Sequence, residues 1–249
     1  MPGQESRLSF PSGLKQPAQG YRFSVDALLL ACFVQPRPGQ RLLDLGAGCG
    51  VVGLGILLQN PDMKLLAVGI DADPEMVGLA EQNGRELGLA DRSSAMCLDV
   101  GSIRTDFRIW PESFDQVVSN PPYRAAEQGR PCRDECKHRA RFETEASFDD
   151  FAAGAAYALK NRSRFALVHL AEKCLSVTET LRRHRLEPKR MRFVHGRKDS
   201  PAKLVLLEAV KNGRAGVAVE PPLFLYDQDR SQNRVHPDAA EFCPFLLGG

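Results

Sequence analysis

A glycine-rich loop between two apolar segments is the feature that most restricts the fold of this 249-residue chain. Residues 44–50 have the sequence DLGAGCG, with the apolar run 41–45 leading into them and the apolar run 51–59 following. The first run has the length of a buried strand and the second has the length of a helix. Because glycine permits positive φ and a close backbone approach, the loop predicts a strand–turn–helix unit with a ligand at its turn.

Strand-like and helix-like segments alternate along the rest of the chain, which predicts βαβ units. We predict strands at 41–45, 64–70, 95–98, 114–119, 164–170, 191–194 and 203–210, and helices at 25–34, 51–59, 74–87, 148–159 and 172–184. No helix separates the last two strands. The expected fold is therefore α/β and Rossmann-like: a doubly wound, mostly parallel seven-stranded sheet with an antiparallel C-terminal hairpin. We predict an arm at 1–20, one domain at 21–226 and a tail at 227–249.

Three acidic residues stand at the predicted strand ends where open α/β sheets bind ligands. Asp44 precedes the glycines and suits the amino group of a methionine moiety. Asp71 ends the second strand and suits the two hydroxyls of a ribose, and Asp99 follows the third strand and suits an adenine amino group. Together with the loop, these acids predict S-adenosylmethionine as the ligand. The loop glycines are Gly46, Gly48 and Gly50.

A dinucleotide is the competing interpretation of the same loop. The spacing Gly48-x-Gly50-x-x-Gly53 matches the dinucleotide fingerprint, and Asp71 lies at the expected distance beyond it. The carboxylate of Asp44 would repel a pyrophosphate, so we favour the methyl donor over a nicotinamide or flavin cofactor.

The tetrapeptide Asn120-Pro121-Pro122-Tyr123 directly follows the fourth predicted strand. An exocyclic amine attached to an aromatic ring is a poor nucleophile because its lone pair is delocalised. The side-chain oxygen of Asn120 and the carbonyl of Pro121 can accept its two N–H donors, and Tyr123 offers a face for a planar target. The prolines stiffen the turn and remove competing donors. We therefore predict these four residues as the catalytic group, with Asn120 also touching the cofactor.

Composition excludes several other classes of protein. The seven cysteines are odd in number and irregular in spacing, which argues against a disulfide framework. Cys132 and Cys136, with His138 nearby, lack the further ligands of a closed zinc site, so we expect no metal. No secretory leader and no apolar stretch of membrane-spanning length is visible. We expect a cytoplasmic monomer or weak homodimer with no membrane partner.

With these motifs in place, the chain resembles the bacterial valine-tRNA adenine-N6 methyltransferases. The resemblance rests on the glycine loop, the tetrapeptide, residues 21–26 (YRFSVD), residues 186–195 (LEPKRMRFVH) and residues 220–226, and it runs from about 20 to 226. It implies N6-methylation of an adenine next to the anticodon of a valine tRNA, with Tyr21 and Arg22 lining the cofactor pocket. The chain departs from the family after its fifth strand, where His169 is followed by Leu-Ala instead of Arg-Pro.

Positive charge in the second half of the chain fits an RNA substrate. Residues 160–214 contain 15 Lys or Arg and 5 Asp or Glu, whereas residues 1–120 contain 10 and 14. Segment 124–141 is long and basic and follows the tetrapeptide, which suits a clamp for phosphates. Segment 182–203 combines basic residues with Phe193, and RNA loop bases stack on aromatic side chains. A solvated basic face is the alternative for both. The candidate phosphate contacts in segment 124–141 are Arg124, Arg130, Arg133, Lys137, Arg139 and Arg141.

Other substrates use the same chemistry and remain open at this point. Guanine-N2 methyltransferases of ribosomal RNA and protein-glutamine methyltransferases share the tetrapeptide. The protein-glutamine enzymes usually have a helical N-terminal domain, and here only about 20 residues precede the first matching segment, which favours RNA. A non-catalytic RNA-binding module is a further alternative, which the complete set of acids and Asn120 disfavours.

Overall fold

The computed structural model describes residues 9–18, 23–123, 146–229, 232 and 234–248. Six helices of this part are α1 (Val25–Phe33), α2 (Val51–Gln59), α3 (Pro74–Glu86), α4 (Phe148–Ala158), α5 (Cys174–Arg183) and α6 (Pro237–Phe242). Its strands are β1 (Arg41–Leu45), β2 (Leu66–Asp71), β3 (Ser93–Cys97), β4 (Phe114–Ser119), β5 (Leu159–Leu170), β6 (Leu186–His195), β7 (Ala202–Lys211), β8 (Ala218–Val219) and β9 (Leu223–Phe224).

These strands form one sheet in the order β3-β2-β1-β4-β5-β7-β6-β8, and β9 also pairs with β6. The first five strands are mutually parallel, whereas β7 pairs antiparallel with both β5 and β6. The doubly wound, mostly parallel sheet with an antiparallel C-terminal hairpin is therefore confirmed. Two short strands that the sequence did not indicate, β8 and β9, pair with β6 and extend the predicted seven strands to nine.

Two apolar cores cover the two faces of the sheet, as alternation along β1 requires. Leu42 faces the core formed with α1 and α2, and Leu43 and Leu45 face the core formed with α4 and α5. Both ends of the chain contribute to the first core: Phe10 and Phe245 are buried there with ring centroids 4.7 Å apart. The arm at 1–20 and the tail at 227–249 stay predictions as domain boundaries, but each supplies a side chain to this core.

Several element boundaries differ from those expected. Strand β5 begins at Leu159, five residues early, and β6 covers Leu186–His195 where only 191–194 was predicted. The predicted helix 172–184 is shorter, because Ala171–Lys173 forms a 3-10 turn before α5 begins at Cys174. Among the described residues, no helix is long and apolar enough to cross a membrane.

The parallel strands bring their carboxyl ends to one edge of the sheet. In register, Leu45 of β1 lies beside Ile70 of β2 and Ser119 of β4. The Ser119 hydroxyl donates a hydrogen bond of 2.8 Å to the carbonyl of Leu45. The residues that follow β1 and β4, which are Gly46 and Asn120, therefore start side by side.

Candidate active site

The loop after β1 has the backbone conformation that its glycines predict. Gly46, Gly48 and Gly50 have φ values of 68°, 54° and 87°. A side chain at any of them would be strained, and a Cβ at Gly46 would lie 3.1 Å from the ring of Phe151. Backbone bonds from Ala47 to the Ile70 carbonyl (2.9 Å) and from Gly50 to the Ala47 carbonyl (2.9 Å) fix the turn. The loop is thus a rigid, close-approach surface above β1.

Asp71, the last residue of β2, holds this loop in place by a hydrogen bond. Its Oδ2 accepts the Gly48 N–H at 2.8 Å, and its Oδ1 accepts the Asp73 N–H at 2.9 Å. Burial raises the pKa of the carboxyl above its usual range. Each carboxylate oxygen retains a second lone pair, so the group can still accept ribose hydroxyls. Holding the loop is a second role of Asp71 that the sequence did not indicate.

Asp99 also lies at this edge, just after β3. Its Oδ1 accepts the Gly101 N–H at 2.7 Å and caps the 3-10 turn Val100–Ser102. That bond fixes the carboxylate at the end of β3, and its remaining acceptor capacity suits an amino group such as that of adenine.

Asp44 lies beneath the loop, on the side of α2. Its side chain is 3% exposed; Oδ2 accepts the Gly53 N–H at 3.1 Å, and buried Oδ1 has no hydrogen-bond partner in the described part of the chain. It lines a small cavity together with Gly50 and Gly69. Burial raises the pKa of this carboxyl to about 7. An unpaired, buried acid suits a cation and disfavours a pyrophosphate, and its contact with the amino group of the cofactor stays a prediction.

The raised pKa of Asp44 predicts a pH-dependent stability. The folded protein binds the proton of the Asp44 carboxyl more tightly than the unfolded chain does, and this difference stabilises the fold. The stabilisation is complete below the unfolded pKa of about 4 and is lost as pH rises through the folded pKa of about 7. Asp44→Asn keeps an acceptor for the Gly53 N–H and removes the titration. Urea unfolding of the cofactor-free protein at pH 5 and pH 8 should show a fall of about 2–4 kcal/mol in the wild type that the variant lacks. Equal pH dependence in the two proteins would contradict the assignment.

A cleft opens beside the glycine loop. Gly46, Gly48 and Asn120 line it from the strand ends, and Phe23 and Met76 line it from the chain before α1 and from α3. Phe23 and Met76 were not predicted, because apolar lining residues look the same in a sequence as core residues. The cleft combines a bare glycine backbone, apolar walls and nearby acids, which fits an uncharged nucleoside with a cationic amino-acid end.

The tetrapeptide begins at the end of β4, and Asn120 lies in the cleft. Pro121 is buried and Pro122 is exposed. The Tyr123 hydroxyl lies 2.7 Å from Asn120 Oδ1 and 3.0 Å from Asp26 Oδ2, which comes from the first turn of α1. The structure therefore brings Asn120 next to the glycine loop, as predicted. It also brings Asp26 to the tetrapeptide, although Asp26 and its partner Tyr123 are 97 residues apart in sequence.

An aromatic group supports the ring of Tyr123. The His169 ring lies 5.2 Å from the Tyr123 ring and 5.3 Å from the Phe148 ring, centroid to centroid. His169 Nδ1 accepts the Leu170 N–H at 2.9 Å. Burial lowers the pKa of this imidazole to about 4, so it is neutral at pH 7. His169 thus supports the site even though the residues after it depart from the family pattern.

Some predicted site residues fall outside the described residues. They are Tyr21, Arg22, Arg124, Arg130, Arg133, Lys137, Arg139 and Arg141, together with Cys132, Cys136 and His138. The second basic segment, 182–203, is described, and several of its basic side chains already contact other groups of the protein. Arg190 lies over the Phe33 ring at 3.9 Å and Arg192 over the Phe242 ring at 4.6 Å. Lys189 donates to the carbonyl of Gly216 at 2.6 Å.

The fold, and the cleft that the glycine loop and Asn120 share, have the arrangement that the sequence predicts for a methyltransferase. A family model described as the methyltransferase small domain matches residues 24–134, which include the loop, the acids and the tetrapeptide. The match covers less than half of the chain, and over this segment the chain is similar to that family of methyltransferases.

Curated proteins are similar to parts of the chain. The chain is 33% identical over 59% of its length to a tRNA1(Val) (adenine(37)-N6)-methyltransferase of Mannheimia succiniciproducens, of which the match spans 58%. It is 26% identical over 83% of its length to a protein of the same name from a Flavobacteriaceae bacterium, of which the match spans 84%. A predicted O-methyltransferase structure from Agrobacterium tumefaciens shares the fold, with a TM-score of 0.70 at 19% identity over 88% of this chain and 96% of that one.

Proposed function

We propose that this chain methylates N6 of an adenine in tRNA, and that the target is the adenine next to the anticodon of a valine tRNA. The observation that supports this most directly is the position of Asn120, which lines the same cleft as the glycine loop. The names of two curated relatives, both tRNA1(Val) (adenine(37)-N6)-methyltransferases, support tRNA as the substrate and adenine as the methylated base. We propose a cytoplasmic location, where tRNA is found, and a monomer or weak homodimer.

The chemistry requires positioning more than proton abstraction. S-adenosylmethionine supplies an electrophilic methyl group on a sulfonium. Asn120 Oδ1 and the Pro121 carbonyl accept the two N–H groups of the target amine and turn its lone pair toward that methyl group. The face of Tyr123, supported by His169, holds the plane of the base. Orientation and fixed dipoles of this kind account for large accelerations without a strong base.

The target base must leave its stack in the anticodon loop to reach this cleft. Basic residues of 124–141 directly follow Tyr123 in sequence, and we propose that they bind the flanking phosphates. Segment 182–203 contributes less than its composition indicates, because Arg190 and Arg192 are engaged with aromatic rings of the protein itself.

The proposal is tested by giving the protein competing acceptors. Unmodified tRNA, ribosomal RNA and a release factor are incubated in parallel with methyl-labelled S-adenosylmethionine, and the products are digested to nucleosides or amino acids. We expect label only in N6-methyladenosine from the tRNA. Label in N2-methylguanosine or in methylglutamine would contradict the proposed substrate, and a protein that binds S-adenosylmethionine but labels no acceptor would contradict the proposed enzyme.

A further inference from the structure

The hydroxyl of Tyr123 carries a single proton and lies close to two oxygen atoms of other described side chains. Asp26 Oδ2 lies 3.0 Å away and Asn120 Oδ1 lies 2.7 Å away. Both neighbours are acceptors as placed, whereas a phenol donates one hydrogen bond. One of the two contacts is therefore an oxygen facing an oxygen lone pair, which is repulsive at this distance.

The carboxylate of Asp26 is the stronger acceptor of the two, because hydrogen bonds to an ionised acceptor are about twice as strong as those to a neutral one. The amide of Asn120 can resolve the conflict by turning over, since its nitrogen and oxygen occupy equivalent positions. Its Nδ2 then donates to the Tyr123 oxygen, and its Oδ1 points to the opposite side. With Asp26 ionised, this arrangement satisfies all three groups by contacts among the described residues.

That arrangement has a consequence for the target amine. Asn120 lines the cleft, so an Oδ1 turned away from Tyr123 becomes available to an N–H donor that enters there. If Asp26 were absent, the Tyr123 proton would go to Asn120 Oδ1 and would occupy the acceptor that the amine needs.

We propose that Asp26 is a positioning residue: by taking the proton of Tyr123, it orients the Asn120 amide so that Oδ1 accepts the target amine. The inference rests on the proposed function of Asn120. Asp26 is well placed for this role, because it lies in the first turn of α1, whose following residues Ala27 to Ala31 are buried in the first core. The ring of Tyr123 is held from another direction by His169.

Removing Asp26 should therefore slow methyl transfer without weakening binding. In Asp26→Ala we expect kcat to fall ~100-fold, with the Kd for S-adenosylmethionine and for tRNA within ~3-fold of wild type. Asp26→Asn keeps an oxygen that can accept the phenol proton, so its loss of kcat should stay below ~10-fold. The matched control is Asp238→Ala, also in the first turn of a helix, for which we expect wild-type kcat.

The decisive measurement is the double variant Asp26→Ala/Tyr123→Phe. Without the phenol proton nothing occupies Asn120 Oδ1, so the double variant should have the kcat of Tyr123→Phe alone, ~10-fold above that of Asp26→Ala. Losses that multiply in the double variant, or an Asp26→Ala protein that loses cofactor affinity at unchanged kcat, would overturn the inference.

The series is run on whichever acceptor the wild type methylates, so its outcome is separate from that of the substrate assay. A wild type that ignores tRNA contradicts the proposed function. A wild type that is active on tRNA, with Asp26→Ala equally active, contradicts the role of Asp26. Thermal unfolding of each variant establishes that the compared proteins are folded.

Discussion

Asn120→Ala is expected to lower the rate of methyl transfer ~1000-fold, which corresponds to ~4 kcal/mol of barrier. The substitution removes an acceptor that grips the amine while its nitrogen becomes positively charged, so the loss falls on the transition state. Asn120 follows β4 directly, and the Ser119 hydroxyl ties that strand end to β1. The backbone of the turn should therefore survive, and the Kd for S-adenosylmethionine should stay within ~3-fold of wild type.

Single-turnover rates and calorimetric binding of S-adenosylmethionine measure the two quantities separately. Asn161→Ala is the matched control, because the side chain of Asn161 is exposed and accepts a hydrogen bond from exposed Asn212 at 3.0 Å. It should leave both quantities unchanged. An Asn120→Ala protein that retained activity within ~10-fold of wild type, a change of ~1.4 kcal/mol, would remove Asn120 from the catalytic group.

Glu208→Ala should cost about 3 kcal/mol of unfolding free energy. Glu208 lies in β7 with a side chain that is 3% exposed, and it forms ion pairs with Arg164 of β5 and Arg190 of β6. Arg190 is itself 14% exposed and packs on the ring of Phe33. Removing the carboxylate leaves Arg190 with only Glu220, 3.5 Å away, as a described ion-pair partner. Breaking one side of a buried ion pair costs more than the pair itself contributes.

Urea unfolding monitored by circular dichroism gives this free energy. Glu112→Ala is the control, because Glu112 pairs with Lys211 at 2.9 Å but is 57% exposed, and surface pairs contribute less than about 1 kcal/mol. Equal losses in the two variants would show that Glu208 does not hold the antiparallel hairpin against β5.

The parts of the fold that the sequence predicted to the residue are β1, α2 and β4. Each is an apolar run with an abrupt stop, either the glycine loop or the Asn-Pro step, so local chemistry defines its ends. Strand β6 was predicted too short because the charged residues Lys189 and Arg190 interrupt its apolar pattern before Met191. The guanidinium groups of Arg190 and Arg192 lie over aromatic rings, and a sequence does not show such contacts of a charged residue.

In the candidate site, too, local sequence motifs predict some features and not others. Its backbone features follow from motifs: the glycine loop, Asp71 at the end of β2, and Asn120 after β4. The supporting contacts do not, because Asp26 and His169 reach Tyr123 across long stretches of sequence, and Phe148 in turn contacts His169. Such contacts depend on the register of the sheet and on the packing of α1 and α4, which no local pattern specifies.

The most direct test of the central claim uses two transcripts of valine tRNA. One has the natural adenine next to the anticodon, and in the other that adenine is replaced by guanine. Each is incubated with the protein and labelled S-adenosylmethionine, then digested and resolved into nucleosides. We expect one N6-methyladenosine per molecule of the first transcript and no methylated nucleoside in the second. Equal labelling of both transcripts, or label in a guanosine, would contradict the account.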